Sequence, residues 1–463
     1  MQTEYGAIIL PTETGKYVLI NALGFVLGVC ETICIKNNQK STSGVFMLTK
    51  GWDTISIIKQ DRINNEIKKI WVNIDSKFYY KFKEKDISIS GEFLPWRIVN
   101  GGSGKNIRME LPIKKGVLYL AGKQYNLENS CATIQTTLIF DSKVKSACSN
   151  SNKIFLKTAF TYLGEKPNQF TNSEGGWIFP INFFDSEGQL GIFSETVLKG
   201  ICCYLLENSD QLSLIFAEID LLNEMCPNWL RPVKTAYTYL EGGFLCILAV
   251  CNERDISGLP LDINVSDLNF STDSCFIISS KLVLLNMIMP SIYSLYQNVS
   301  EDYFEVTEKK FVNSQDLKMN EIKAGLIYYT PIVYQKRNEG VLNGDCIDIT
   351  YKGSCDLRAN IAMNWFGKIK MSFSHENGTI SFKKVSEDFS HSEDIPWYLK
   401  YVHLIVSIIV HIIVAIISDN LINKIRDYCI SIDTNQMNTI EWFEKKGVLS
   451  SVCLKDSLIL EYS

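Results

Sequence analysis

The stretch Ser279-Ser280-Lys281-Leu282-Val283-Leu284-Leu285-Asn286-Met287-Ile288-Met289-Pro290-Ser291-Ile292-Tyr293-Ser294-Leu295-Tyr296-Gln297 decides how the chain is read. At a period of 3.6 its apolar residues cover nearly every face, and a helix that is apolar all round is a buried helix. Ser279 or Ser280 can cap its start. Pro290 falls inside the pattern, which predicts a kink rather than a stop. Stretches that alternate like strands lie on both sides. The expected fold class is therefore α+β, with long apolar helices cradled by strongly curved antiparallel sheets.

Working outward, the pattern of helix, meander, helix occurs twice, over about 47–270 and 271–463. Ile55, Ile58, Ile63, Ile67 and Ile70 form one stripe, so 48–71 reads as a first long amphipathic helix. The segments 107–111, 116–120 and 132–140 alternate as a meander would. A second helix is expected over 194–206, and strands over 212–220, 233–239 and 244–250. Past the central stretch, 326–330, 332–335 and 346–351 alternate. Asn377-Gly378 marks a hairpin between 369–373 and 380–382. A last helix is expected over 401–417, then a short helix and a final strand within 437–463. Residues 1–46 fit none of this. They read as a non-native extension, a packed element or a degenerate export signal, because Glu4 and Glu13 precede the apolar run where a signal needs basic residues.

The chain has 463 residues and a net charge of −5, which argues against nucleic-acid binding. Its 14 cysteines show no metal spacing and read as buried thiols. Only His375, His391, His403 and His411 are available for imidazole chemistry. His403, Ser407 and His411 recur every four residues, but no acid is visibly placed beside them. The run Asn100-Gly101-Gly102-Ser103-Gly104-Lys105 is not a phosphate loop, because Asn106 stands where Ser or Thr is required. It reads as a glycine-rich strand connection. No catalytic residue, metal ligand or cofactor site is expected. The 17 residues 401–417 fall short of the ~20 that a bilayer crossing needs, so no stable transmembrane span is expected.

Six short motifs point to one family. They are Gly51-Trp52-Asp53, Trp96-Arg97-Ile98-Val99-Asn100-Gly101-Gly102-Ser103 and Asn252-Glu253-Arg254-Asp255-Ile256-Ser257, followed by Lys352-Gly353-Ser354-Cys355-Asp356, Asp394-Ile395-Pro396-Trp397 and Met437-Asn438-Thr439-Ile440-Glu441-Trp442. In this order they resemble the clostridial P-forty-seven proteins, encoded in botulinum-neurotoxin and related toxin gene clusters. The likeness runs from about Met47 to the C-terminus. It implies two modules of the tubular lipid-binding (TULIP) type, 47–270 and 271–463. It also implies a non-enzymatic accessory role beside a toxin, through a lipid or other hydrophobic ligand. The protein would be cytoplasmic on synthesis, with release beside the toxin left open, and other proteins of the cluster are candidate partners.

An apolar groove between helix and sheet is the natural ligand site. Leu282, Leu285 and Met289 on the central helix, with Ile405 and Ile409 on the last one, are the expected lining. Leu285, Met289, Ile405 and Ile409 are all expected to be buried. The alternative is a protein-binding chaperone or tether whose cores are closed.

Overall fold

The computed structural model describes residues 8–11, 17–20, 26–30 and 49–463, apart from 84–85, 143–152, 165–174, 222–223, 266–271, 325, 358–360, 398–402, 431–432 and 446. The chain divides into two compact units, Met1–Met47 and Leu48–Ser463. The first holds a three-stranded antiparallel sheet of Ile8–Pro11, Tyr17–Ile20 and Val26–Cys30.

The second unit is mostly antiparallel sheet with few helices. Six strands form its central sheet, in the order Lys234–Leu240, Phe244–Val250, Thr54–Lys59, Ser274–Ile278, Ser457–Tyr462 and Leu449–Lys455. An eleven-stranded sheet runs from Ile440–Trp442 through Ile215–Asp220, Lys153–Thr158, Cys131–Asp141, Asn106–Leu120 and Ile87–Phe93 to Lys77–Lys81. A seven-stranded sheet is built on Ile332–Asn343, Cys346–Asp356, Ala362–Glu376 and Thr379–Asp394. Helices α1 (Gln60–Ile70) and α2 (Ser194–Glu207) pack on the eleven-stranded sheet. Two short helices, α3 (Ser280–Val283) and α4 (Met289–Tyr293), and the long α5 (His403–Ile430) belong to the C-terminal half.

The expected first helix is half strand. Thr54–Lys59 enters the central sheet, and α1 begins only at Gln60. Ile55 and Ile58 fit a helical stripe, yet the same residues also fit a strand buried on both faces. Ile55 and Ile57 join one core with Trp52, Cys246, Leu248, Val250, Cys275 and Ile277, while Ile58 joins the other with Leu245, Ile247, Phe276 and Ile278. That is strict period-two alternation.

The central helix runs on through Pro290 and contains a π turn. Ser279 caps α3, its Oγ accepting from the Leu282 amide at 3.3 Å. A π turn, Leu284–Ile288, then separates α3 from α4. Pro290 has no amide hydrogen to close the bond back to Asn286, and its ring clashes with that turn. The wider π turn takes up the mismatch. α5 extends to Ile430, well past the expected end at 417. In the tail the expected short helix is absent from the described residues, and 440–442 and 449–455 are strands.

Of the four residues expected to be buried, Met289 is fully so, whereas Leu285 and Ile409 are half-buried. Ile405 is 60% exposed. α5 turns Val406, Val410, Ile413 and Ile417 inward instead, one position out of register with that expectation.

Glu66 of α1 ties the start of the fold to its end. Its carboxylate is buried and pairs with Arg62, Lys69 and Lys445. Burial alone would raise its pKa. Hydrogen bonds from Lys445 and Lys69 outweigh that, so it lies below the usual carboxylate value. A group depressed in the folded state contributes stability above its unfolded pKa, and that contribution is lost as pH falls through the folded value. Glu66→Gln should therefore destabilise at neutral pH, and the gap from wild type should close once the solution is acidic enough to protonate Glu66, as urea titrations across pH would show. Met289→Ala should cost about 2–5 kcal/mol and Ile405→Ala no more than about 0.5 kcal/mol, both measurable by urea unfolding.

Candidate functional site

The groove expected beneath the central helix is closed. Leu282 and Met289 are buried in the core. Beside α4, the void bounded by Ile292, Leu295, Tyr296, Met319, Asn338, Tyr351 and Ile417 measures about 10 Å³. That admits one water at most. Leu282, Leu285, Met289, Ile405 and Ile409 line neither this void nor the cleft described next.

A larger cleft of about 610 Å³ opens elsewhere, where Cys131–Asp141, paired with Trp177–Phe184 in one sheet, meets Lys234–Leu240. Leu138, Ile139, Phe140, Tyr162, Trp177, Ala236, Tyr237 and Ile256 supply its apolar and aromatic walls, and Thr137, Thr161 and Thr235 add hydroxyls. Among the described residues of the lining Lys105 is the one that carries a charge, and it is exposed. The volume lies within the ~300–1,000 Å³ usual for small-molecule sites.

The walls are held by hydrogen bonds as well as by packing. Strand Arg97–Ser103 turns back into Asn106–Leu120, and Gly104 at the tip bridges to Tyr239. This hairpin, the glycine-rich run, delivers Lys105. The Tyr237 hydroxyl donates to the Lys105 carbonyl at 2.8 Å and accepts from the Leu138 amide at 2.7 Å. Burial raises its pKa, so it stays neutral and fixes the wall rather than moving protons. Trp177 is clamped by two threonines: its amide donates to Thr137 Oγ1 at 2.9 Å, and its carbonyl accepts from Thr136 Oγ1 at 2.9 Å. The Trp177 ring lies 5.1 Å from that of Tyr162, and the Phe140 ring 6.0 Å from that of Tyr237. Gly175 approaches Leu138 so closely that a Cβ there would sit 2.0 Å from the Leu138 carbonyl oxygen. The cleft can take up an apolar body and place an anionic or hydrogen-bonding end beside the Lys105 amine.

A second, more open groove of about 920 Å³ runs past the end of α2, lined by Lys77, Glu92, Lys115 and Glu207 among others. Its charges of both signs suit an apolar ligand less well. The histidines do not assemble a nucleophile. His391 and His403 each lie 3.4 Å from Glu393, the acid that the sequence does not reveal. Ser407 reaches His411 Nδ1 only through its carbonyl, at 2.7 Å. Among the described residues no group of His, Cys, Asp and Glu is placed to hold a metal ion.

With the cleft defined, the comparisons with known proteins carry weight. A family model described as OrfX-like, protein OrfX2/OrfX3/P47, matches residues 49–442. The chain belongs to the OrfX-like family. It is 27% identical over 297 residues to protein P47 of Clostridium botulinum (strain Kyoto / Type A2), covering 62% of this chain and 67% of that relative. It is 21% identical over 421 residues to protein OrfX3 of Paraclostridium bifermentans, covering 80% and 83%. The solved structure of P47 from Clostridium botulinum A2 superimposes with a TM-score of 0.70 at 22% identity, covering 90% of this chain and 98% of that one. That of P47 from Clostridium botulinum E1 gives 0.69. This OrfX-like chain therefore has the P47 fold, and its matched relatives are not named as enzymes.

Removing the Tyr237 hydroxyl tests the wall. Tyr237→Phe leaves the buried Leu138 amide without its acceptor and should cost about 1–3 kcal/mol, read from denaturant unfolding.

Proposed function

We propose that this protein is a non-enzymatic accessory protein of a toxin gene cluster that binds a lipid or other hydrophobic ligand in the Lys105–Trp177–Tyr237 cleft. One observation carries the reading: a cleft of about 610 Å³ whose described lining is apolar and aromatic except for threonines and one lysine. Such a lining removes apolar surface from water at roughly 25 cal/mol per Å², and the amine orients the ligand's polar end. The two modules are of TULIP type in this proposal, with the ligand held against sheet rather than beneath the central helix. Family membership supports the accessory role, and partners from the same cluster belong to the same proposal.

The second reading, a protein-binding tether, is favoured by the closed core around α3 and α4. Extraction of the purified protein followed by mass spectrometry separates the two. A stoichiometric amphiphile in the wild type, depleted in Ile139→Trp and weakened in Lys105→Glu, is the expected result. Material with no such molecule, and no uptake of a fluorescent fatty acid by the intact protein, would leave the tether.

A further inference from the structure

Helix α5 carries more apolar side chain than its packing uses. Val406, Val410, Ile413 and Ile417 face the core. On the other side Ile405 is 60% exposed, Ile408 55% and Ile412 39%, and exposed Ala415 continues the row. Steps of three and four place these residues on one stripe. Exposed Asp419 ends it.

The run Ile405–Ile425 is 21 residues, long and apolar enough to cross a membrane, yet only 29% of its most apolar window is buried. A core helix of such composition would be mostly covered. A leader would lie near the N-terminus. Ile409, Val414, Ile416 and Ile422 are partly covered against the core, which leaves Ile405, Ile408 and Ile412 as the exposed large apolar residues among those described in the helix.

Size and charge select the occupant. The stripe runs from Ile405 to Ala415, about 15 Å long and at most ~10 Å wide. Its footprint of roughly 150 Å² is far below the ~800 Å² per partner of a stable protein interface. It does suit shallow entry into a bilayer, where an apolar helix face sinks ~5–10 Å into the headgroup boundary. Trp397, 81% exposed, precedes the helix, and tryptophan rings favour that boundary. The charged surroundings do not attract anionic headgroups. Strand Thr379–Asp394, on which α5 packs, brings Glu387, Asp388, Glu393 and Asp394. Lys384 is paired with Glu387. His391, His403 and His411 stand at the N-terminal end of α5 around Glu393.

We propose that Ile405, Ile408 and Ile412 dock the protein onto a lipid bilayer surface by apolar contact, without help from headgroup charge. This surface is distinct from the cleft and does not depend on the cleft's ligand. Co-sedimentation of the full chain with neutral phosphatidylcholine vesicles tests it, at low and at high salt. The wild type should bind at both, as should Ile139→Trp. Ile405→Glu with Ile408→Glu should lose about tenfold or more in partitioning with an unchanged melting temperature, and the milder Ile408→Ser should shift the same way. Three results would each overturn the proposal: no binding to neutral vesicles, a double variant that sediments with them as well as the wild type, or binding that needs anionic lipid and vanishes in salt. A wild-type dimer dissolved by the double variant would overturn it too, because a second copy would then cover the stripe.

Discussion

The second unit depends on one strand, Thr54–Lys59, paired on both sides and buried on both faces. Phe244–Val250 flanks it on one side and Ser274–Ile278 on the other. Ser457–Tyr462 lies one place further along, so segments remote in sequence share one hydrogen-bonded sheet. A strand in this position cannot slip by one residue without exchanging its two sets of side chains between cores. Its surroundings satisfy its polar groups, as burial requires. Ser56 Oγ accepts from Trp442 Nε1 at 3.0 Å. Asp53, at its start, accepts from Arg254 Nη2 at 2.8 Å and from the Cys251 amide at 2.8 Å. The Gly51 carbonyl accepts from the same guanidinium.

Those contacts explain why short, separated motifs identify the family. Gly51-Trp52-Asp53 and Asn252-Glu253-Arg254 meet through Arg254, and Trp52 Nε1 donates to the Pro260 carbonyl, holding the 251–265 segment over the sheet. Trp442, from the last motif, joins them through Ser56. These three motifs mark junctions of the scaffold.

What was legible followed local periodicity. Alternation found the longest strands, such as Asn106–Leu120 and Ala362–Glu376, and Asn377-Gly378 found its hairpin, with both residues at positive φ and Glu376 paired to Thr379. What was lost needed partners. Ile55 and Ile58 carry the same spacing on a helix stripe and on a doubly buried strand, and only the neighbouring strands choose between them. The irregularity at Pro290 was legible, but its form was not, because a π turn has no composition of its own. The cleft was invisible: its walls come from 105, 137–140, 162, 177 and 235–237, each ordinary strand sequence. Lys105 drew notice only within a run that fails as a phosphate loop.

The two apolar helices show how unequally apolar sequence can be covered. The central helix, 280–293, lies against the six-stranded sheet and α5, and its side chains go into the core. Leu282, Val283, Leu284, Met287 and Met289 there are buried in one core cluster. α5 has equal apolarity but packs on Thr379–Asp394, the edge strand of its sheet, and that strand cannot cover both sides of a helix. Apolar residues on the uncovered side gain nothing from folding and cost solubility. In the core an apolar run is covered by the chain itself, whereas on α5 the proposed bilayer contact would cover it.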